Sequence, residues 1–478
     1  MPTISAFGDD ALSDADAVGI VEAIRSGTIS HAEAVEAAIR RAEKVNPDLN
    51  ALAYRAFDRA RNRATAPTPY GGFFDGVPTV VKDNVAVAGM PTMEGTDAWT
   101  PRPERGDGDF ARHYLATGLI PLGKAQMSEF GFSAVAEHPR LGPVRNPWNV
   151  EHTAGASSSG AGAFVAAGVV PIAHANDGGG SIRIPASCNG LVGLKPSRGR
   201  LPLDKNMRQM PIRIVANGVV TRSVRDTAAF YREIERTWPA RNLPAIGDVT
   251  GPDSTRLRVA VYTKSVRREC SPEVRDLTLG TAALLEDLGH RVDLLDSSPP
   301  IPATFADDFV LYWALLALAL VRGGKRTFGD SFDRNRLDNL TLGLDRFAGR
   351  NLHRLPLAMA RLAATRRSTA KLARDYDILL TPTVADAPPR IGYLDPTADY
   401  EQIIDRLSDW VAFTPLQNVT GDPAISLPLA QTAAGLPVGM MFAARAGQEA
   451  TLLALAFELE AAQPFRSLAT DPTVTQAR

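Results

Sequence analysis

The chain has few cysteines, no excess of either charge and no long apolar run. Its 478 residues include only two cysteines, which excludes a disulfide framework, and no C-x-x-C pair indicates zinc. The 52 basic and 53 acidic residues leave a net charge of −1. That balance argues against partners held by bulk charge, so we expect no nucleic-acid and no membrane partner. The longest apolar run, residues 309–321, is shorter than the ~20 residues that span a bilayer.

Signals for secretion, metals and nucleotides are also missing. The N-terminus lacks the basic and apolar regions of a signal peptide, so we expect a cytoplasmic, reducing location. The seven histidines form no H-E-x-x-H motif and no i,i+4 pair, and the phosphate-binding loop G-x-x-x-x-G-K-[ST] is absent. We therefore expect no metal and no other cofactor.

Hydrophobic patterning predicts strands that alternate with helices. Strand-like segments 257–262 and 290–295 flank a helical pattern, and further buried strands are predicted at 376–383, 423–428 and 436–442. This order predicts an α/β fold: one large domain with a mixed, mainly parallel twisted sheet covered by helices on both faces. Helices are predicted at 13–26, 30–46 (a Ser30/Glu33 capping box, stopped by Pro47), 51–64, 108–117, 160–167, 272–288 and 449–462.

Domain organisation follows from the same pattern. Residues 1–66 are interpreted as an N-terminal helical segment that packs on the core, and residues 67–478 as the core itself. A helical insertion at about 299–357 carries Phe309, Tyr312 and Trp313 in one apolar run. Such an insertion either covers a pocket or forms a packed helical layer, and we expect it to cover a pocket.

Two serine clusters lie among glycines between residues 153 and 199. The first includes Ser157, and the second places Ser181 directly after three glycines. Glycines leave backbone N–H groups unshielded, so this composition is typical of an anion-holding nest beside a nucleophile. A loop of small residues that serves tight packing has the same composition.

A serine nucleophile needs a base, and the sequence offers several. The elbow G-x-S-x-G is absent, although His152 and His174 leave a serine–histidine relay open on paper. Lys82 lies in a β-branched run, where it is either solvated on an edge strand or buried, neutral and functional. A neutral lysine can activate a serine when burial lowers its pKa.

Several motifs, in this order along most of the chain, resemble the amidase signature family. The segment that contains Lys82 reads GVPTVVKDN (76–84), and the two serine blocks read GASSSG (155–160) and DGGGSIRIP (177–185). The remaining matches are GKAQMSEF (123–130), GPVRNPW (142–148), GLVGLKP (190–196), LTPT (380–383) and GLPVG (435–439).

The resemblance implies a Ser–cis-Ser–Lys triad. Ser181 would be the nucleophile that forms an acyl-enzyme, Ser157 would relay protons through a cis peptide, and Lys82 would be the base. The other implied positions are an oxyanion hole from the N–H groups of Gly178, Gly179, Gly180 and Ser181, a structural pair of Asp177 and Arg183, and tentative substrate contacts at Gly131 and Gly155.

This sequence departs from the family pattern at three positions beside the triad. Ala156 and Ser159 replace glycines of the first block and narrow the channel lining. Gly178 stands where the family commonly has threonine or isoleucine, so the hole is either more flexible or open to a bulkier acyl group.

The resemblance implies hydrolysis of C–N bonds in small-molecule amides. Aryl or alkyl amides, nylon-type oligomers and carbamates or urethanes are candidate substrates, with esterase side activity, in a monomer or homodimer. The alternative is the glutamine-hydrolysing subunit of a tRNA-dependent amidotransferase, which would require a partner. A non-catalytic scaffold is disfavoured because the three triad residues are present.

Overall fold

Helices occur along the whole described part of the chain, and some of them begin at a side-chain cap. The computed structural model describes residues 3–66 and 71–470. Its helices are α1 (Ala17–Arg25), α2 (His31–Leu49), α3 (Phe57–Ala64), α4 (Asp109–Ala116), α5 (Ser159–Ala166), α6 (Arg183–Asn189), α7 (Lys205–Arg208), α8 (Val224–Thr237), α9 (Pro272–Asp287), α10 (Phe305–Phe328), α11 (Asn339–Asn351), α12 (Leu355–Ser368), α13 (Leu372–Asp375), α14 (Tyr400–Trp410), α15 (Pro415–Thr420) and α16 (Glu449–Ala462). The capping box predicted at the start of α2 is present, with Ser30 and Glu33 each accepting a backbone N–H of the other.

Two predicted helix boundaries are wrong. Helix α2 does not stop at Pro47 but includes it and ends at Leu49, followed by Asn50 in the left-handed conformation. Proline removes its own N–H donor, and this costs the helix one i→i−4 hydrogen bond two residues before its end. Residues 51–64 are not one helix either, because their first part pairs as a strand and only Phe57–Ala64 is helical.

The strands form one large sheet and three small ones. They are β1 (Leu52–Arg55), β2 (Pro78–Lys82), β3 (Ile120–Ala125), β4 (Glu137–His138), β5 (Gly142–Pro143), β6 (Arg145–Asn146), β7 (Asn149–Thr153), β8 (Ile172–Asp177), β9 (Val192–Lys195), β10 (Ala216–Thr221), β11 (Arg258–Val261), β12 (Arg291–Leu294), β13 (Ile378–Pro382), β14 (Ala424–Gln431) and β15 (Pro437–Ala443). The large sheet has the order β12-β11-β13-β15-β14-β9-β10-β8.

The prediction of a single large domain with a mixed sheet and flanking helices is confirmed, but the sheet is not mainly parallel. Only β11 pairs in parallel with its neighbours β12 and β13, and the other pairs of the described sheet are antiparallel. Short connections explain the difference, because antiparallel neighbours such as β14 and β15 need only a turn, whereas parallel neighbours need a crossover.

A second sheet, of order β1-β3-β2, brings a charged residue to the edge of the large sheet. Lys82 is the last residue of β2 in this small sheet, and its backbone N–H donates to His174 Nδ1 of β8. The loop after β8 contains the second serine cluster. The contact between β2 and β8 therefore positions Lys82 beside the glycine–serine segment.

The segment predicted as a helical insertion contains α10, α11 and the start of α12. Helix α10 packs along α11 and α12, and its aromatic side chains face the loop after β8. Within residues 3–66 and 71–470, no helix has the length and hydropathy needed to cross a bilayer.

Candidate active site

Lys82 is completely buried at the centre of the site. Its Nζ lies 2.7 Å from Ser157 Oγ, 2.7 Å from Asn176 Oδ1 and 3.4 Å from the Asn176 carbonyl oxygen. Burial lowers the pKa of Lys82 to about 7, although Asp177 and Glu94 oppose the shift. The solvated edge-strand interpretation of Lys82 is therefore wrong, and a large share of this lysine is neutral near pH 7.

Ser157 joins Lys82 to the loop before α5. The Ala156–Ser157 peptide bond is cis, as the family resemblance implies, and Ser157 is buried. Gly131 lies directly against it, since a Cβ atom on Gly131 would be 3.1 Å from Ser157 Oγ. Gly131 also lines the apolar cavity beside Ser181.

Ser181 lies in the loop between β8 and α6 and lines the same cavity. The neighbouring Ser158 ties the two serine clusters together, because its hydroxyl donates to the Ser181 carbonyl at 2.5 Å and lies 3.3 Å from the Asn176 carbonyl. Sequence reasoning missed this link. The only sequence signal for it was a third serine beside Ser157.

Gly155 is placed differently from the prediction. It has a positive φ of 68°, and a Cβ atom there would approach Cys188 Sγ to 2.8 Å and Ile184 to 3.2 Å. Its carbonyl accepts the hydroxyl of Ser159, and Gly155 is not one of the residues that line the cavity. Gly155 therefore supports the turn before Ser157, and its predicted substrate contact is corrected.

Asp177 and Arg183 form a buried ion pair behind the glycine loop. Arg183 Nε and Nη2 donate to the two Asp177 oxygens at 2.9 Å each, and Asn418 donates to Asp177 Oδ1 at 2.8 Å. Burial alone would raise the pKa of Asp177, but Arg183 outweighs it and holds that pKa below its usual range. The predicted structural pair is present in the structure.

The same carboxylate changes the predicted oxyanion hole. Gly180 N–H donates to Asp177 Oδ1 at 2.7 Å, so it is not available to a substrate oxygen. The Gly179 carbonyl accepts the buried Thr414 hydroxyl at 2.6 Å. The predicted set of four donors is thereby reduced to the N–H groups of Gly178, Gly179 and Ser181.

The space beside Gly178 is filled by protein. A Cβ atom on Gly178 would lie 3.2 Å from the ring of Trp313 and 3.4 Å from Val215. Trp313 also donates its indole N–H to the Phe132 carbonyl at 3.2 Å. Because Gly178 has no side chain, Trp313 can pack against it. The space beside Gly178 is therefore occupied and leaves no room for a bulkier acyl group.

An apolar cavity leads away from Ser181. Phe305, Phe309 and Trp313 stack along one face of α10, with ring centroids 6.4 Å and 5.7 Å apart. The cavity encloses about 760 Å³ of empty space, part of it open to solvent, and Ala156 of the first serine block also lines it. Its opposite wall is formed by Ile404, Leu407, Ser408, Val411, Ala412 and Pro415.

One charged side chain lines this cavity, and it is neutralised. Arg267 donates to Asp405 and Asp409 of α14, each at 2.5 Å. Both carboxylates are more exposed than the guanidinium between them. A substrate in the cavity therefore meets aromatic and aliphatic groups, with one guanidinium already paired.

The two histidines near the serines have other partners. His152 Nδ1 lies 2.7 Å from the Pro388 carbonyl. His174 accepts the Lys82 backbone N–H, and burial lowers its pKa to about 3, so its ring is neutral. Among the described residues, neither imidazole is hydrogen-bonded to a serine of the site, and a serine–histidine relay is unsupported.

Comparison with known proteins agrees with this geometry. The family model described as Amidase matches residues 33–453. The chain belongs to the amidase signature family. A relative of this family from Mycobacterium leprae (strain TN), named "Putative amidase AmiC", is 67% identical over 465 residues, which cover 97% of this chain and 98% of the relative.

Other members of the amidase signature family are named for their activities. The 6-aminohexanoate-cyclic-dimer hydrolase of Pseudomonas sp. (strain NK87) is 32% identical over 484 residues, covering 94% of this chain and 95% of that protein. A solved 6-aminohexanoate cyclic dimer hydrolase superposes with a TM-score of 0.85 at 30% identity, over 96% of this chain and 99% of that structure. A bacterial aryl acylamidase superposes with a TM-score of 0.83 at 27% identity, over 94% and 96%. The protein is thus an amide-hydrolysing enzyme.

Proposed function

We propose that this amidase cleaves the C–N bond of small-molecule amides through an acyl-enzyme on Ser181. The observation that carries the proposal is the 2.7 Å contact between Ser157 Oγ and the buried Nζ of Lys82. A neutral amine in that position can receive a proton, and the Ser157 hydroxyl is proposed to relay one to it from Ser181.

In the proposed acylation step, two protons move in sequence from Ser181 towards Lys82. Ser181 Oγ attacks the amide carbonyl carbon, its proton passes to Ser157, and the Ser157 proton passes to Lys82. The carbonyl oxygen becomes an anion stabilised by the N–H groups of Gly178, Gly179 and Ser181. Losing one such donor costs about 2.7–4 kcal/mol of transition-state stabilisation in other enzymes.

The leaving amine then takes back the proton. Lys82 returns it through Ser157 to the substrate nitrogen as the C–N bond breaks, which releases the amine and leaves an ester on Ser181. Water attacks that ester and gives one proton to the Ser157–Lys82 pair. The pair returns this proton to Ser181 Oγ as the ester bond breaks, which releases the carboxylic acid and restores the Ser181 hydroxyl. No cofactor is needed in this scheme.

The cavity favours substrates with an apolar group next to the scissile bond. Aromatic side chains of α10 form one wall and aliphatic side chains of α14 and the following loop form the other. Aryl and alkyl amides, nylon-type oligomers and carbamates all carry such groups. The names of the relatives that act on aminohexanoate dimers and aryl acylamides support this class.

The cavity disfavours the alternative, a glutamine-hydrolysing amidotransferase subunit. Glutamine presents a carboxylate and an ammonium group, which bind best to unpaired groups of opposite charge. The charged residue lining this cavity, Arg267, is already paired with Asp405 and Asp409. Glutamine hydrolysis comparable to that of an anilide would favour the amidotransferase function.

Substitution of the nucleophile tests the proposal. We expect Ser181→Ala to lose hydrolysis of p-nitroacetanilide and labelling by a serine-directed phosphonate, while keeping the wild-type circular dichroism spectrum. Ser187→Ala is the matched control, since this buried serine of α6 bonds the Gly439 N–H and no group of the site. Turnover retained by Ser181→Ala would refute the assignment.

A further inference from the structure

The partners of Lys82 determine where its lone pair points. A neutral amine has two N–H groups and one lone pair. Both Asn176 oxygens near Nζ, the side-chain Oδ1 and the backbone carbonyl, can only accept hydrogen bonds. They occupy the two N–H groups, so the lone pair is directed at the third neighbour, the Ser157 hydroxyl. Asn176 thus aims Lys82 at Ser157.

This arrangement requires the Asn176 amide to face Lys82 with its oxygen. A rotation of the amide by 180° would place its NH₂ group against Nζ, where a neutral amine would have to accept with the lone pair that Ser157 needs. Asn84 prevents the rotation: Asn176 Nδ2 donates to Asn84 Oδ1 at 2.9 Å, and Asn84 Nδ2 reaches Asn176 Oδ1 at 3.4 Å.

We propose that Asn84 is a positioning residue that orients the Asn176 amide and thereby keeps the Lys82 lone pair directed at Ser157. The inference rests on the proposed function, because it assumes that Lys82 is the base. Asn84 does not line the cavity next to Ser181 and, among the described residues, makes no side-chain hydrogen bond to the triad. It lines a separate cleft together with Glu94 and Glu104. Its effect therefore passes through Asn176.

The charged and titratable groups around Lys82 come from several elements. Strand β8 provides Asp177 and the neutral His174, and α5 has no titratable side chain. Helix α2 presents His31 to Gly76, at the opposite end of the β2 segment. The turn after β2 and strand β3 provide the remaining groups, Asp83, Glu94 and Lys124.

The experiment compares pH profiles of kcat for anilide hydrolysis by wild type, N84L, N84D, N176D and N84L/N176D. Leucine has the same number of heavy side-chain atoms as asparagine and the same branching at Cγ, but it offers no acceptor to Asn176. We expect N84L to lower kcat about tenfold, because the Asn176 amide is then free to rotate. The acidic limb of the pH profile should move about 0.5–1 pH unit lower, because the ammonium form of Lys82 loses Asn176 Oδ1 as an acceptor. In N84D the carboxylate at position 84 still accepts the hydrogen bond of Asn176 Nδ2, so we expect kcat to stay within about threefold of wild type.

The double variant distinguishes an effect of Asn84 on the orientation of the Asn176 amide from a general effect of N84L on the structure of the site. N176D replaces the amide with a symmetric carboxylate, so there is no wrong orientation for Asn84 to prevent. Its negative charge next to Nζ is expected to move the acidic limb more than about 1 pH unit higher. In the N176D background, N84L should cost less than about twofold in kcat. Equal costs of N84L in both backgrounds, or an acidic limb that stays in place, would overturn the proposal.

Two controls keep this result distinct from a failure of the proposed function. Asn339→Leu removes a half-buried asparagine that bonds the carbonyls of Thr397 and Ala398, and should leave the pH profile unchanged. A wild-type enzyme that neither hydrolyses amides nor reacts with the phosphonate overturns the proposed function and this inference together. An active wild type with N84L behaving like N339L overturns this inference alone.

Discussion

Replacing the buried Lys82 with methionine is expected to stabilise the fold at neutral pH while abolishing amide hydrolysis. Burial lowers the pKa of Lys82 from 10.5 to about 7, despite the opposing charges of Asp177 and Glu94. One pH unit between those values is worth about 1.36 kcal/mol, so at pH 7 the shift costs the folded state about 4 kcal/mol. Methionine removes this cost but also removes the hydrogen bonds from Lys82 to the Asn176 oxygens, at about 1–3 kcal/mol. The net gain in unfolding free energy at pH 7 is therefore about 1–3 kcal/mol.

The pH dependence of this gain identifies its cause. Between pH 7 and 10.5 the unfolded wild type binds more protons at Lys82 than the folded protein does, so wild-type stability rises with pH. The advantage of Lys82→Met should shrink by about 2 kcal/mol from pH 7 to pH 9 and become constant below pH 7. Titrating groups that do not interact with Lys82 are present in both proteins and cancel in the difference.

Urea unfolding followed by tryptophan fluorescence at pH 6, 7, 8 and 9 measures the difference. Lys264→Met is the control, because Lys264 is exposed and its removal should give a difference that does not change with pH. Glu94 faces Lys82, and burial raises its pKa to about 8, so both proteins should also be measured in the Glu94→Gln background. A difference between wild type and Lys82→Met that is constant from pH 7 to 9 would refute the reasoning.

Three further substitutions test the glycine loop before Ser181, the apolar cavity and the buried ion pair of Asp177 and Arg183. Thr414→Val removes the hydroxyl that holds the Gly179 carbonyl and should lower kcat about tenfold with KM nearly unchanged, measured by steady-state kinetics. Trp313→Ala removes one wall of the cavity and should lower kcat/KM for an aryl amide about 10–200-fold, but much less for acetamide, in a substrate panel. Asp177→Asn leaves Arg183 buried without its charge partner and should lower the unfolding free energy by about 3–5 kcal/mol in urea.

The substitutions of Thr414 and Trp313 each have a matched control. Thr278→Val removes a buried hydroxyl that bonds within α9, far from the loop, and should leave kcat unchanged. Trp238→Ala removes an exposed tryptophan and should leave substrate preference unchanged. Equal effects of Thr414→Val and Thr278→Val on kcat, or of the two tryptophan variants on the aryl amide, would contradict the roles assigned to Thr414 and Trp313.

Local sequence signals predicted the elements that depend on near neighbours. The Ser30/Glu33 box starts α2 as expected because both hydrogen bonds lie within one turn. The helix after Ser158 was also predicted, although with shifted ends. Strands β9 and β10 were missed, since their pairing depends on β8 and β14, which are distant in sequence.

Pattern alone left the position of Lys82 undecided. A lysine in a β-branched run is compatible with an exposed edge strand, and burial against β8 depends on residues about ninety positions away. The family resemblance implies Gly180 as one of four oxyanion donors, and a row of glycines is compatible with free N–H groups. The structure shows Asp177 bonded to one of them, a contact that depends on how the loop turns.

The sequence by itself determined the family, the spacing of the two serine blocks and the alternation of strands and helices. These properties reside in consecutive residues: glycines that permit a positive φ, small residues beside serines, and apolar periods that match one element at a time. Only the tertiary structure decided that Lys82 is buried, that Asn84 and Thr414 hold parts of the site, and that α10 forms the cavity wall. Those contacts join residues separated by about 90 to 235 positions. Buried polar groups need hydrogen-bond partners, and only the folded chain brings such distant partners together.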